Sequence, residues 1–206
     1  MGFDKNVFVN CPFDDEYRPL LRPLLFTISY LGFQPRIALE ELDSGAPRIQ
    51  KIVNLIRSSR YAIHDLSRLQ ARQQGEFYRL NMPLELGIDV GCRVFGRAPL
   101  NLKRCLILEV QRYRYQAAIS DLAGCDIAVH GGSEEAIVTE VRNWLSSKTS
   151  TPAAGPARVW TAFLDFMSDN YDELTAQGFS HRDIEALPVD EFLRCLQRWM
   201  RRSRLK

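Results

Sequence analysis

The sequence predicts an α/β fold, a doubly wound parallel sheet with a small all-α appendage at its C-terminal end. Up to about residue 146, short apolar runs alternate with segments of helical spacing across short loops, which argues for a parallel sheet covered on both faces. Ser146 to Pro156 (S-S-K-T-S-T-P-A-A-G-P) then reads as a linker, and beyond it the apolar residues keep only helical spacing. The expected division is an α/β domain over 1–146, a linker over 147–157 and a helical appendage over 158–206.

Lys5 to Asn10 is a short apolar strand that stops at Cys11-Pro12, because proline cannot donate to the ladder. Asp14 or Asp15 can cap a helix running to about Leu31. Pro19 and Pro23 move its expected start toward Arg18, and Gly32 is its stop signal. Phe33 to Leu39 is a second strand, and Asp43 to Pro47 a loop. The helix from Arg48 to Ser58 puts Ile49, Ile52, Val53 and Ile56 on one face. Tyr61 to His64 is a buried strand, followed by a polar stretch from Leu69 to Leu80. Pro83 suits the first turn of a helix that reaches about Val94. Arg104 to Val110 and Asp126 to His130 are the last strands, and Ser133 caps a helix ending near Trp144. In the appendage, Trp160, Phe163, Leu164 and Met167 follow helical spacing, Ser180 caps a short helix, and Val189 to Met200 forms another.

Five strands of this kind suit the flavodoxin-like order. Ligands of such sheets bind beyond the carboxyl ends of the strands where strand order reverses, so the tips at Asn10 to Phe13 and Asp65 to Arg68 are expected side by side. Composition narrows the function. The 206 residues are 46% hydrophobic and 25% charged, as in an ordinary globular protein. Every apolar run is broken by Arg or Lys, and Met1 to Asn10 has no signal-peptide pattern, so a cytoplasmic protein with no membrane association is expected. Five cysteines without a C-x-x-C pair read as reduced thiols. A net charge of +2 does not call for a polyanion, and the basic residues from Arg194 to Lys206 suit a helix end, so nucleic acid is not an expected partner.

Asn81-Met82-Pro83-Leu84-Glu85-Leu86-Gly87 places a carboxylate between leucines near a helix start, and Asp65 ends a strand. A carboxylate in that position can stabilise or capture the cation formed when a bond to an anomeric carbon breaks. Glu85 and Asp65 are therefore the catalytic candidates, Asp65 also being a natural turn former. Leu84, Gly87, Ile88 and Gly91 form one stripe, with Glu85 on its flank, and the glycines suggest close packing of that face on the sheet. Asn81 reads as the cap of this helix. Asn10, Pro12, Phe13, Asp43, Ser44 and Arg68 are candidates for holding a sugar, a base or a phosphate, against the plainer readings of Asp43 and Ser44 as turn formers, Phe13 as a core-edge aromatic and Arg68 as a surface cation. Cys11, His64 and His130 also fall at strand tips. No short metal-ligand spacing supports a metal there, and a cysteine before proline reads as a buried small residue.

Three of these segments together resemble one superfamily. Val7 to Phe13 (V-F-V-N-C-P-F), Ala62 to Leu66 (A-I-H-D-L) and Leu84 to Gly87 (L-E-L-G) resemble the first strand, the strand ending in Asp-Leu and the nucleophile-bearing helix of nucleoside 2-deoxyribosyltransferases. The same order of elements resembles TIR domains, in which one helical glutamate serves to cleave NAD. The first strand departs from the TIR pattern in ending Asn-Cys-Pro-Phe, and the chain before Glu85 lacks the Gly-Thr pair of the transferases. The resemblance covers about residues 5–145 and implies cleavage of the N-glycosidic bond of NAD or a related nucleotide. NAD or the nucleotide would be substrate rather than cofactor, and no metal is implied. The alternatives are transfer between free deoxynucleosides, or a non-enzymatic module that senses a nucleotide or binds a protein. Analogy further points to antiphage defence in bacteria, with assembly into a homo-oligomer through the helical tail.

Overall fold

The computed structural model describes residues 2–40, 45, 47–70, 80–149 and 152–203. Five parallel strands form one sheet: β1 (Asn6–Asn10), β2 (Gln34–Ile37), β3 (Tyr61–Asp65), β4 (Arg104–Glu109) and β5 (Ile127–Val129). Their order is 2-1-3-4-5, the flavodoxin-like order expected from the sequence. Order reverses between β1 and β3, and the register sets Asn10 directly beside His64 at that switch point.

Alternation of side chains divides the strands between two cores. Val7, Val9, Tyr61, Ile63, Leu106 and Leu108 face the core on one side. There α1 (Arg18–Tyr30) and α4 (Glu134–Ser146) cover the sheet. Phe8 and Ala62 face the other side, where α2 (Arg48–Arg57) and α3 (Asn81–Phe95) lie. Met82 and Leu86 of α3 pack there with Ile107. Both strands at the switch point are buried along their whole length, which is why they read as unbroken apolar runs.

The tail consists of α5 (Pro156–Ala176), α6 (His181–Glu185) and α7 (Val189–Ser203). Its apolar residues join the α1–α4 core. Phe26 of α1 contacts Phe163, Phe166 and Trp199 at ring-centroid distances of 5.4 to 5.9 Å. Ser180 caps α6 through a reciprocal capping box with Asp183. Among the described residues no helix is long and apolar enough to cross a membrane.

Two facings differ from expectation. In α2 the buried residues are Ile52, Leu55 and Ile56, while Ile49 is largely exposed, because Leu55 turns the buried face toward itself. In α3 only Ile88 of the expected stripe of Leu84, Gly87, Ile88 and Gly91 packs toward the sheet, against the core that holds Phe8 and Ala62. The buried residues are Met82, Glu85, Leu86 and Asp89, and Leu84 and Gly87 point outward. Glu85 therefore belongs to the buried face rather than its flank. Asn81 is also not the cap: Leu80, which has no capping side chain, holds that position, and Asn81 is the first helical residue, exposed.

Candidate active site at the switch point of the sheet

Asn10 ties the tip of β1 to the first turn of α3. Its Nδ2 donates to the Met82 carbonyl at 2.9 Å and lies 3.0 Å from Nδ1 of His64. A buried amide hydrogen facing Nδ1 needs an unprotonated nitrogen there, which places the ring proton on Nε2. Nε2 is 3.3 Å from Oδ2 of Asp89, and Nζ of Lys103 is 2.9 Å from Oδ1 of the same carboxylate. Lys103 also donates to the Ile56 carbonyl at 2.7 Å and to that of Ser59, at the C-terminal end of α2, where a cation is favoured. Lys103, Asp89, His64 and Asn10 thus form one line beneath α3, each at most 2% exposed. Burial alone would raise the Asp89 carboxyl, but His64 and Lys103 outweigh it and hold Asp89 below its usual range.

Glu85 lies one helical turn before Asp89 on the same face, 4% exposed. No hydrogen bond or ion pair reaches it among the described residues, unlike Asp89. Burial raises its carboxyl to about 7, against a weaker downward pull from Arg48. The result is a buried carboxyl group that changes charge near neutrality.

Asp65 is differently placed. It reaches the rim from the α1 side of the sheet, where its carboxylate accepts from Tyr17 Oη at 2.5 Å and from the Ser67 N–H at 2.8 Å. Nε2 of His130 is 3.2 Å away, off the line of a hydrogen bond, and Nδ1 of His130 accepts from the Gly132 N–H. Burial and then the Asp65 charge raise the Tyr17 hydroxyl well above its usual value, so it remains a donor. Cys11 is buried just past the end of β1, within reach of the charge on both Asp65 and Glu85. Burial, then Asp65, Glu85 and Asp14 push its thiol well above the usual range, the opposite of what a thiolate nucleophile requires. The two histidines are occupied elsewhere, His64 with Asp89 and Asn10, and His130 through Nδ1 with the Gly132 N–H. Among the described residues no His, Cys, Asp and Glu cluster is arranged to hold a metal ion.

The other candidates scatter. Pro12 is buried behind Cys11. Phe13 lines a cavity of about 250 Å³ between α1 and the start of α7, shared with Leu21, Leu187 and Phe192, and Glu85 is not part of that cavity. Arg68 spans to Asp14 at 3.1 Å and Glu16 at 2.9 Å, so its charge is already matched by the acidic loop. Asp43 and Ser44 lie outside the described residues. A further clamp closes the rim: Arg114 donates to both oxygens of buried Glu109 and to the Ser67 carbonyl, the last at 2.6 Å.

Sequence reasoning missed Tyr17, Asp89, Lys103, Glu109 and Arg114. For Asp89 a signal existed, since it stands four residues after Glu85 and shares its face. A lone lysine ahead of a strand carries no such sign.

Comparison with known proteins finds no family model, no curated protein and no solved structure that matches this chain.

Proposed function

We propose that this chain is an N-glycosidase that hydrolyses the bond between nicotinamide and ribose in NAD or a closely related nucleotide. The observation that carries the reading is Glu85: buried, without a hydrogen-bond or ion-pair partner among the described residues, on the helix whose first turn is tied to the tip of β1, and raised to about 7. Cleaving an N-glycosidic bond develops positive charge at C1′. A carboxylate held in an apolar setting interacts with such a cation far more strongly than a solvated one. Near neutral pH, Glu85 is protonated in part until a cation draws it into the ionised form.

Asp65 favours NAD over neutral nucleosides. A purine leaves poorly unless protonated, and that requires a free acid. Asp65 instead has both oxygens occupied as acceptors, from Tyr17 and from the Ser67 N–H, a role that shapes the rim. Nicotinamide in NAD is already cationic and departs without a proton. The line from Lys103 to Asn10 then acts as scaffold, fixing the first turn of α3 through the Met82 carbonyl.

The test is base release followed by chromatography, with concentrated protein and either NAD or deoxynucleosides. Nicotinamide is expected from NAD, with kcat/KM rising with pH through a midpoint near 7, because the free protein must ionise Glu85. The cationic ring should lower the midpoint seen in kcat. Release from deoxynucleosides alone would turn the reading toward base transfer, and release from neither would end it.

A further inference from the structure

Helix α3 is inverted in polarity. Its charged residues are Glu85, Asp89 and Arg93, and the first two point into the protein. The outward face is apolar: Leu84 is 56% exposed, Val94 60% and Phe95 88%. A surface helix normally shows the reverse pattern. Between the large residues stand Gly87, with no atom of the described residues within 4 Å of where a side chain would begin, and Gly91, which among them would meet the Phe95 ring alone. At 100° per residue, positions 84, 87, 91 and 94 fall within one narrow stripe directly opposite the buried face.

The stripe reads alike in both directions. About Asp89 as centre, Gly87 mirrors Gly91, Leu84 mirrors Val94 and Pro83 mirrors Phe95. A helix lying antiparallel across a copy of itself, with a two-fold axis beside residue 89, would set each member of a pair against the other. The glycines would meet at the crossing, where backbones approach closest, and Leu84 would meet Val94 of the second copy on either side. This symmetry is what selects a second copy over an unrelated partner.

We propose that α3 is a self-association surface through which two copies of this chain pair antiparallel. The pairing is independent of the chemistry proposed for Glu85, which points the other way.

The experiment measures mass in solution by sedimentation velocity from about 1 to about 100 μM, a span that brackets the affinity of a small interface. The full chain is expected to dimerise within it. Leu84→Glu and Val94→Lys, each at an exposed position, should separately weaken the dimer at least about tenfold while leaving the thermal melt unchanged. Mixing the two variants should restore it, because in the antiparallel register position 84 of one copy faces position 94 of the other. Wild-type protein that stays monomeric at the highest concentration overturns the proposal. So does a dimer that ignores both substitutions, or one that the mixture fails to restore.

Discussion

Glu85→Gln is expected to abolish NAD cleavage and, above pH 7, to make the protein more stable. The two effects share one cause. The amide has nearly the shape of the carboxyl but carries no charge, so stabilisation of the C1′ cation is lost, a fall in kcat on the order of 10³-fold or more. In the resting protein the carboxyl stands at about 7 against its ordinary 4.5, so folding favours the neutral form. Below 4.5 it is protonated in both folded and unfolded chains and costs nothing. Between 4.5 and about 7 the unfolded chain releases the proton first, and stability declines with rising pH; above about 7 the loss is complete. At 1.36 kcal/mol per pKa unit the ceiling is about 3 kcal/mol, and about 1–3 kcal/mol is expected once the amide's own burial is counted. Denaturant melts at pH 4 and pH 8 check it: the variant should match the wild type at the lower pH and exceed it at the higher. A glutamate with a purely structural role would show loss of stability instead.

Lys103→Met is expected to destabilise the fold by about 3–5 kcal/mol, since it leaves the Asp89 carboxylate buried with only His64 beside it. The ion pair need not itself be the source of stability. Replacing both partners, Lys103→Met with Asp89→Leu, should return much of the loss, because removing both charges removes the desolvation cost along with the attraction. A double-mutant cycle by denaturant melts measures the coupling. Equal and additive losses from the two single changes would mean that Lys103 works through the Ile56 and Ser59 carbonyls rather than through Asp89.

The sheet was legible because its central strands are buried on both faces and so read as continuous apolar runs, and short connections left few ways to order them. The start of α1 at Arg18 followed from its prolines. The facing of α3 was not legible. Its sequence offers two stripes at helical spacing, one of Leu84, Gly87, Ile88 and Gly91 and one of Met82, Glu85, Leu86 and Asp89. Hydrophobicity alone selects the first. The fold takes the second, because Lys103 and His64, distant in sequence, lie where Asp89 can meet them. The same long-range pairing kept the scaffold hidden while Glu85 stood out for its leucine neighbours. Asp65 drew notice as a strand-end acid, but nothing local showed that Tyr17, 48 positions earlier, would engage it.

The apolar outer stripe of α3 is the counterpart of that choice. With both carboxylates turned inward, the residues that a surface helix would normally bury are left facing solvent, and the helix that carries Glu85 becomes the place where a second copy can dock.

The central claim is that Glu85 meets the anomeric carbon, and a structure of Glu85→Gln with bound NAD tests it most directly. C1′ of the nicotinamide ribose is expected about 3–3.5 Å from the Gln side chain, the separation of reacting groups poised for attack, with Asn10 nearby at the tip of β1. NAD seated in the cavity between α1 and α7, with its C1′ far from residue 85, would contradict it.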